Sequence, residues 1–507
     1  MLKKLNFYSF NIYSTRGIFY LIAFVSLIRL VYIALIPITP QEAYYWYYSL
    51  HPDLSYFDHP PVAAYSIWFG THIFGNNSFG VKFMAVVWSA LTMLLLYFTA
   101  KDFEERYLGD YEYSNYVPAL SVFIYLLTIF AHLYSVTLVP DTPLLFFWLL
   151  TIYFVQKRII TENKNYWFAA GISLGCGLVS KYTAIVLAGS IFFFLLFSKK
   201  YRRDLLSFYP YFSVVLAFVV FSPVIYWNYK HGWASFLFQS VNRAKHDTHP
   251  IQTKYIIQLF FSQLFMLTPL VFVYSFKAYS QTIKHWKFNT KFHLYFWSSI
   301  VIITAFVLVS LTSLVKMNWL LPGYLSLIIL IVSLFGKQFL HPSKSVKAGI
   351  WFSVFLILLA YSLLLIPNVP LGEGNTWSGW NDASKKIIEL QKEKGGKENC
   401  FLFTNSYKSS SLLKFYMNDN SQETYSANIF GENGLQFSIW GIPDSLKGKN
   451  AIYVFTDRRE YKPQLKKVAK YFDKIEKLAE FEYKFANKIH TRTIYCYYAE
   501  NYHGPGK

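Results

Sequence analysis

The sequence predicts a mainly helical, polytopic membrane protein with about eleven transmembrane helices and a small α/β domain at its C-terminal end. Hydrophobic residues make up 54% of the 507 residues, charged residues only 15%, and the mean hydropathy is +0.27. Most of such a chain requires lipid as its solvent. The cations lie in short clusters between apolar runs, as expected for the cytoplasmic loops of a membrane protein.

The predicted spans follow from apolar runs judged against the roughly 17 to 25 residues that a membrane-crossing helix needs. They cover residues 17–36, 81–99, 118–138, 143–155, 166–179, 183–197, 210–227, 256–276, 294–314, 319–335 and 349–366. The fourth, fifth and sixth runs are short. The two runs around Lys181 are also compatible with one re-entrant hairpin.

The charges of the loops predict the orientation. With the N-terminus in the cytoplasm, the cation-rich loops at 199–203 and 337–347 lie inside. The segment 38–80 contains no Lys or Arg and therefore lies outside. Only the loop 228–255 breaks this alternation, because it holds four cations. An odd number of spans places the C-terminal region outside.

The chain changes character after the last apolar run, which predicts a membrane domain over residues 1–366 and an α/β domain over 367–507. Residues 400–404, 451–456 and 493–498 are typical of strands. Residues 378–394 and 460–472 are typical of amphipathic helices. The absence of an internal repeat removes the signature that many transporters carry.

Two function classes receive little support from composition. The net charge of +20 could indicate nucleic-acid binding, but its distribution between apolar runs explains it without that partner. The three cysteines have no metal or redox spacing. Cys400 and Cys496 either pair in an oxidising compartment or remain free thiols, and the sequence leaves both open.

The first outer segment carries the strongest candidates for chemistry. Glu42 lies close to where the first span ends, and partial desolvation would raise its basicity toward a hydroxyl. The alternative is a purely structural helix start, because Thr39 and Pro40 form an N-cap and an N1 proline. Asp58 and His59 precede two prolines that present them rigidly. They could bind a divalent metal, form a proton-transfer pair or bind a phosphate oxygen, unless they are an N-cap and a surface histidine.

Further candidates lie in the connections between later spans. Asp141 sits between prolines in a connection too short to leave the membrane surface, where turn and capping chemistry is the alternative. Lys181 is a single charge in an apolar stretch, either snorkelling or paired with an anion. Arg243 and Lys245 form a loose basic patch suited to a lipid phosphate, or a plain solvated loop. Lys316 places a cation at the predicted outer end of a helix, before a proline. The alternative is a purely structural anchor at the membrane interface.

Six segments together resemble the bacterial membrane glycosyltransferases of the protein O-mannosyltransferase and lipid A aminoarabinose-transferase type, in families 39 and 83. These are QEAYYW at 41–46, YFDHPP at 56–61, PDTPL at 140–144, LVSKYTA at 178–184, WNYKHGWASF at 227–236 and NWLLPGY at 318–324. The resemblance runs from about residue 18 to residue 366. It implies the fold called GT-C, with a periplasmic α/β domain at the C-terminal end.

The resemblance also implies an activity. Such enzymes transfer a sugar from a polyprenyl-phosphate donor to a periplasmic acceptor, here lipid A, another envelope glycan or a protein hydroxyl, from the bacterial inner membrane. The family's first loop opens with an acidic pair, of which this chain keeps only Glu42, because position 41 is Gln. The family's Glu-Lys before the two prolines corresponds to Asp58 and His59, which implies a pH-sensitive phosphate contact and a possible divalent metal. Asp141 resembles the family's second-loop carboxylate.

The hypothesis from the sequence is a polyprenyl-phosphate sugar transferase. Glu42 is the first choice of general base, Asp141 the second and Asp58 the third, and a single displacement would invert the anomeric carbon. The donor phosphate would be bound by cationic residues, namely His59, Lys181, Arg243, Lys245 and Lys316. The alternatives are a flippase for lipid-linked sugars, and an O-antigen polymerase or ligase.

Overall fold

The structure, a computed structural model, describes residues 11–109, 113–242, 251–287, 290–371, 377–419, 421–457 and 464–504. Its first half is a succession of helices. They are α1 Thr15–Leu35, α2 Pro40–Leu50, α3 Val62–Phe74, α4 Ser78–Tyr107, α5 Val117–Leu126, α6 Ile129–Val136, α7 Asp141–Thr161, α8 Tyr166–Ser180, α9 Ile185–Phe197, α10 Phe208–Lys230 and α11 Ala234–Leu237.

Four more long helices complete the apolar part: α12 Thr253–Lys284, α13 His293–Val309, α14 Leu321–Leu340 and α15 Lys344–Leu365. Within the described residues, eight helices are long and apolar enough to cross a membrane, and the bent pair formed by residues 114–126 and α6 would be a ninth. Two further apolar helices, α8 and Tyr182–Phe197, are shorter. Every predicted span overlaps a helix, except that the span 118–138 is divided between α5 and α6, and the count of eleven stays a prediction.

The C-terminal region forms the predicted α/β fold. Its helices are α16 Trp380–Glu393, α17 Gly396–Asn399, α18 Tyr407–Met417, α19 Gln436–Trp440 and α20 Leu465–Val468. Its strands are β1 Cys400–Thr404, β2 Thr424–Tyr425, β3 Asn450–Thr456, β4 Phe472–Phe485 and β5 Ile489–Tyr502. They form one sheet in the order β2-β1-β3-β5-β4, parallel from β2 to β3 and antiparallel from β3 to β4.

The core of this sheet consists largely of aromatic rings. The strands β1 and β3 are mostly apolar and almost fully buried, as expected for strands covered on both faces. Phe403 stacks on Tyr453 with ring centroids 4.9 Å apart, and Phe472 stacks on Phe403 at 5.7 Å. The rings of Phe401 and Phe455 are also buried in this cluster. The sheet is thus held by apolar burial, the dominant favourable contribution to folding.

The predicted helix at residues 460–472 is helical over most of its described part. Residues 460–463 lie outside the described residues, α20 and the 3-10 turn Ala469–Tyr471 are helical, and Phe472 begins β4. The strand β4 pairs with β5 over nearly its whole length and was not predicted from the sequence.

The cysteine alternatives are resolved in favour of free thiols. Cys400 lies on β1 and Cys496 on β5, and the central strand β3 separates them. Both are free and buried. Burial raises the pKa of each thiol to about 12.

The contacts divide the chain into two compact units. The first contains residues 1–32, 85–232 and 240–360, and the second contains residues 33–84, 233–239 and 361–507. Residues 38–80, which were predicted to lie outside, therefore group with the C-terminal sheet. The predicted boundary between residues 366 and 367 stays a prediction.

Candidate active site

Glu42 is held by the start of its own helix. Thr39 caps α2 by accepting a hydrogen bond from the Glu42 amide at 3.3 Å, and the Glu42 carboxylate accepts one from the Thr39 amide at 2.8 Å. This reciprocal pair is a capping box, with Pro40 at N1 as its sequence predicts. The structural alternative for Glu42 is therefore realised.

The same carboxylate oxygen also accepts a hydrogen bond from the ammonium of Lys82, in the first turns of α4. Both side chains are fully buried. A buried carboxylate requires such a counter-charge, since an isolated ion is costly to remove from water. Sequence reasoning missed Lys82, although a lone cation inside the predicted span 81–99 was a visible signal.

Asp58 lies in a set of hydrogen bonds that fixes the turn before α3. Its Oδ1 accepts from the phenol of Tyr48 at 2.5 Å, and its backbone carbonyl accepts from the amide of Gln239 at 2.5 Å. Gln436 accepts from the backbone N–H of Phe57 at 2.8 Å. Burial, with the nearby charge of Asp58, raises the pKa of Tyr48 well above its usual value, which keeps the phenol protonated as the donor.

Asp58 and His59 supply two of the donors that a metal site would need. His59 Nε2 lies 4.0 Å from Asp58 Oδ2. Across the described residues, no group of three or more His, Cys, Asp or Glu side chains is placed to hold a metal ion. A divalent ion at this pair would therefore take its remaining ligands from water or from the substrate. Asp58 and His59 would thus supply two protein ligands to a metal site whose other positions are open.

The first unit contains the buried carboxylate of Asp141, and both of its oxygens accept hydrogen bonds. Asp141, the first residue of α7, accepts from the Lys181 ammonium at 2.6 Å through Oδ1 and from the Asn318 amide at 2.7 Å through Oδ2. Asp141 is 3% and Lys181 6% exposed. The three residues come from three separate connections, each within a segment that carries the family resemblance. Of the two alternatives for Lys181, snorkelling or pairing with an anion, the structure shows pairing. The hydrogen bond from Asn318 to Asp141 was not predicted.

The remaining predicted phosphate ligands are less defined. Arg243 and Lys245 lie outside the described residues. Lys316 is exposed, one turn before α14. The structure thus brings together Asp141 with Lys181 in one unit and Asp58 with His59 in the other, while Glu42 joins Lys82.

Comparisons with known proteins support the predicted fold. The family model for dolichyl-phosphate-mannose-protein mannosyltransferases matches residues 58–227, a third of the chain that includes Asp58, Asp141 and Lys181. The lipid A galacturonosyltransferase RgtD from Rhizobium johnstonii is 24% identical over 298 residues. That match covers 58% of this chain and 59% of the length of RgtD.

Solved structures match along nearly the whole chain. ArnT from Cupriavidus metallidurans in the apo state superposes with a TM-score of 0.63 at 15% identity, covering 95% of this chain and 98% of ArnT. ArnT bound to undecaprenyl phosphate gives a TM-score of 0.60 with the same coverage and identity. The predicted resemblance and fold class are thereby confirmed: the chain is a multi-pass membrane protein with the GT-C fold, similar to membrane glycosyltransferases of the ArnT type.

Proposed function

We propose that this protein is a membrane glycosyltransferase that transfers a sugar from a polyprenyl-phosphate donor to an acceptor hydroxyl. The observation that carries the proposal is the buried Asp141–Lys181 pair within a fold shared with ArnT. ArnT has been solved with undecaprenyl phosphate, and RgtD acts on lipid A. A buried charge pair within an apolar helical unit is the kind of feature that membrane proteins retain for function.

The chemistry requires a proton acceptor and a counter-charge for the leaving group. The acceptor hydroxyl oxygen forms a bond to the anomeric carbon while the bond from that carbon to the phosphate oxygen breaks. The hydroxyl proton passes to a carboxylate, and the polyprenyl phosphate leaves as an anion without needing an acid. A single displacement of this kind inverts the anomeric carbon. Cations beside the phosphate stabilise the developing charge.

Asp141 is the better-supported base, ahead of Glu42. Glu42 is bonded to the backbone of its own helix, so moving it would open the capping box. Both partners of Asp141 are flexible side chains that can turn away when substrate enters. Lys181 would then turn from Asp141 toward the donor phosphate, supplying the counter-charge beside the base.

The other assignments extend this proposal. His59 and Lys316, with Arg243 and Lys245, would add cationic contacts to the lipid phosphate. A divalent ion at Asp58 and His59 would supply further charge stabilisation to that phosphate. We also propose the bacterial inner membrane as the location, with the N-terminus in the cytoplasm and the C-terminal sheet in the periplasm, because the loop cations alternate in that sense.

The test is release of polyprenyl phosphate by the purified protein in phospholipid nanodiscs. Candidate polyprenyl-phosphate sugars are supplied with lipid A or with a peptide rich in Ser and Thr. The variant Asp141→Asn should lower the transfer rate by about 10²–10⁴, the usual contribution of a general base. Asp204→Asn is a matched control. Asp204 is another buried carboxylate, it lies outside the candidate site, and its Oδ1 is 2.8 Å from the guanidinium of Arg158.

Glu42→Gln needs a control of its own, because it leaves Lys82 buried without a counter-charge. The double variant Glu42→Gln with Lys82→Met removes both charges and separates catalysis from folding. Wild-type transfer in both this double variant and Asp141→Asn would remove the two carboxylates from the mechanism. Movement of the lipid across the bilayer without phosphate release would indicate a flippase instead.

A further inference from the structure

A cluster of partly exposed polar and aromatic side chains lies away from the carboxylates described above. It consists of Tyr47 and His51 at the end of α2, Glu423 just before β2 and Trp440 at the end of α19, all in the second unit. We call these four residues the indole–carboxylate cluster. None of them belongs to the predicted site.

The aromatic members form a packed base. The Trp440 ring centroid lies 4.9 Å from that of His51 and 5.1 Å from that of Tyr47. Phe437 supports both, with its ring 5.1 Å from Tyr47 and 5.1 Å from Trp440. Tyr47 is buried, whereas Trp440 is only half-buried, so the indole is the ring that a ligand could reach.

The polar members retain hydrogen-bonding capacity. Oε2 of Glu423 accepts from the Tyr47 phenol, but Oε1 has the Lys414 ammonium at 3.7 Å and His51 Nε2 at 4.0 Å, both beyond hydrogen-bond distance. The indole N–H of Trp440 forms no hydrogen bond with any described residue. The side chains of His51 and Glu423 are 40% and 41% exposed. A carboxylate oxygen, an imidazole and an indole donor are thus available at one place.

The charges in the cluster cancel, which selects against ionic ligands. Glu423 is balanced by the buried ammonium of Lys414. Burial lowers the pKa of His51, against the opposing effect of Glu423, so the imidazole is neutral near pH 7 and can both donate and accept. A phosphate would meet the Glu423 carboxylate, and an ammonium would have to compete with Lys414. A neutral ligand with several hydroxyls meets neither cost.

We propose that the indole–carboxylate cluster binds a saccharide. A sugar ring presents a face of C–H groups that packs on an indole and hydroxyls that donate to a carboxylate as charge-assisted hydrogen bonds. Aromatic surface with a few convergent polar groups is the usual composition of a small-molecule site. This binding site does not rest on the proposed function.

The binding test uses the full-length protein in phospholipid nanodiscs, because sugar-based detergents would compete. The probes are the β-methyl glycosides of glucose, galactose and N-acetylglucosamine, observed by saturation-transfer difference NMR. We expect saturation of the ring protons in the wild type and at least a fivefold loss in Trp440→Ala and in Glu423→Gln. Trp440→Phe keeps the aromatic face but loses the N–H, so it should keep the signal and weaken affinity a few-fold.

Glu480→Gln is the matched control, since Glu480 is a comparably exposed carboxylate on β4 with its own lysine partner at 2.6 Å. It should leave the NMR signal unchanged. Absence of saturation in the wild type, or equal saturation in Trp440→Ala and Glu423→Gln, would overturn the saccharide site. Thermal unfolding of each variant distinguishes a lost ligand from a lost fold.

Discussion

Lys82 and Glu42 illustrate how strongly a single buried charge depends on its partner. Both side chains are fully buried, and each supplies the counter-charge of the other. Replacing one partner leaves a charge in a medium that solvates it poorly, which is far more costly than replacing both.

The first prediction follows from this dependence. Lys82→Met should destabilise the fold by about 3–5 kcal/mol, because the Glu42 carboxylate loses its counter-charge. Adding Glu42→Gln should restore most of the loss, since Gln also serves in a capping box. The measurement is the thermal unfolding midpoint in nanodiscs. If the single and double variants unfold at the same temperature, the pair is not coupled.

The second prediction concerns acid stability. Hydrogen bonds from the Ser421 hydroxyl and amide, assisted by Lys397, lower the pKa of Asp419 to about 2. A carboxylate with a depressed folded-state pKa stabilises the fold above its unfolded value of 3.8 and loses that contribution as the pH falls toward 2. Because the side chain is 38% exposed, solvent screening limits the effect to about 1 kcal/mol or less.

Asp419→Asn should therefore lower the unfolding midpoint slightly at pH 7 and leave it unchanged near pH 2. Circular dichroism of the two proteins across that pH range measures the difference. A constant difference at every pH would assign the effect to packing and not to the charge.

The sequence was informative about which site residues matter and uninformative about their partners. Asp141 and Lys181 stand out because each is a charge in an apolar setting, and the structure joins them. The partners were not predicted: Glu42 and Lys82 are 40 positions apart, and Asp141 and Asn318 are 177 positions apart. No local pattern encodes such distances.

At the scale of whole elements, two membrane helices are interrupted and the interruptions are bonded to each other. The axis of α6 is bent by 71° from that of the helix at residues 114–126, and α12 breaks at Thr268, which has a φ of 62°. The Thr268 hydroxyl donates to the carbonyl of Leu127 at 3.1 Å and accepts from the Ser353 hydroxyl of α15 at 2.8 Å. Backbone freed by a break is satisfied in this way where water is absent.

The third prediction tests this chain of hydroxyls. Thr268→Val keeps the side-chain volume and leaves the Leu127 carbonyl without its donor, at a cost of about 1–3 kcal/mol. We expect a lower unfolding midpoint and faster hydrogen exchange around residues 127–131. Wild-type exchange in the variant would mean that another group satisfies the carbonyl.

The packing of α8 against α10 gives the fourth prediction. A Cβ added at Gly171 would lie 2.7 Å from Ser213 Cα, on the backbone of α10, whereas one added at Gly189 of α9 would meet nothing within 4 Å. Close helix contacts in membranes use such small residues. Gly171→Ala should therefore destabilise the protein, while Gly189→Ala should be neutral or stabilise it by up to about 1 kcal/mol.

The two glycine variants are compared by thermal unfolding in the same lipid. Because both substitutions add one methyl group to an apolar helix, a difference between them reports the contact with α10. Equal midpoints would contradict the close approach.

Across the whole molecule, apolar patterning predicted the fold class and failed where pairing decided the structure. Runs of apolar residues require helices in lipid, so the predicted spans overlap helices, although the span 118–138 is divided between α5 and α6. The strand β4 was not predicted, because its many charged residues lack the continuous apolar pattern of a buried strand; its pairing with β5 defines it. Likewise, the grouping of residues 33–84 with the C-terminal sheet depends on contacts between residues far apart in the sequence, which local composition does not predict.

The fifth prediction reports on the stability of the C-terminal sheet as a unit. Because burial raises the pKa of Cys400 and Cys496 to about 12, neither thiol forms its reactive thiolate at pH 8 while the sheet is folded. In a Cys176→Ser background, alkylation by iodoacetamide should occur only on unfolding, and at both positions together. Rapid labelling of the folded protein at either cysteine would contradict the sheet register.

The joined interruptions of α6 and α12 also bear on how a long lipid could enter. A kink beside a proline, such as Pro269, is commonly regarded as a hinge. Here the kink is tied by hydroxyl groups to a second helix and a third, so bending at one would break bonds in all three. We expect these helices to behave as a single rigid block, and any opening for the proposed donor lipid to arise in segments that this chain of hydroxyl groups does not connect.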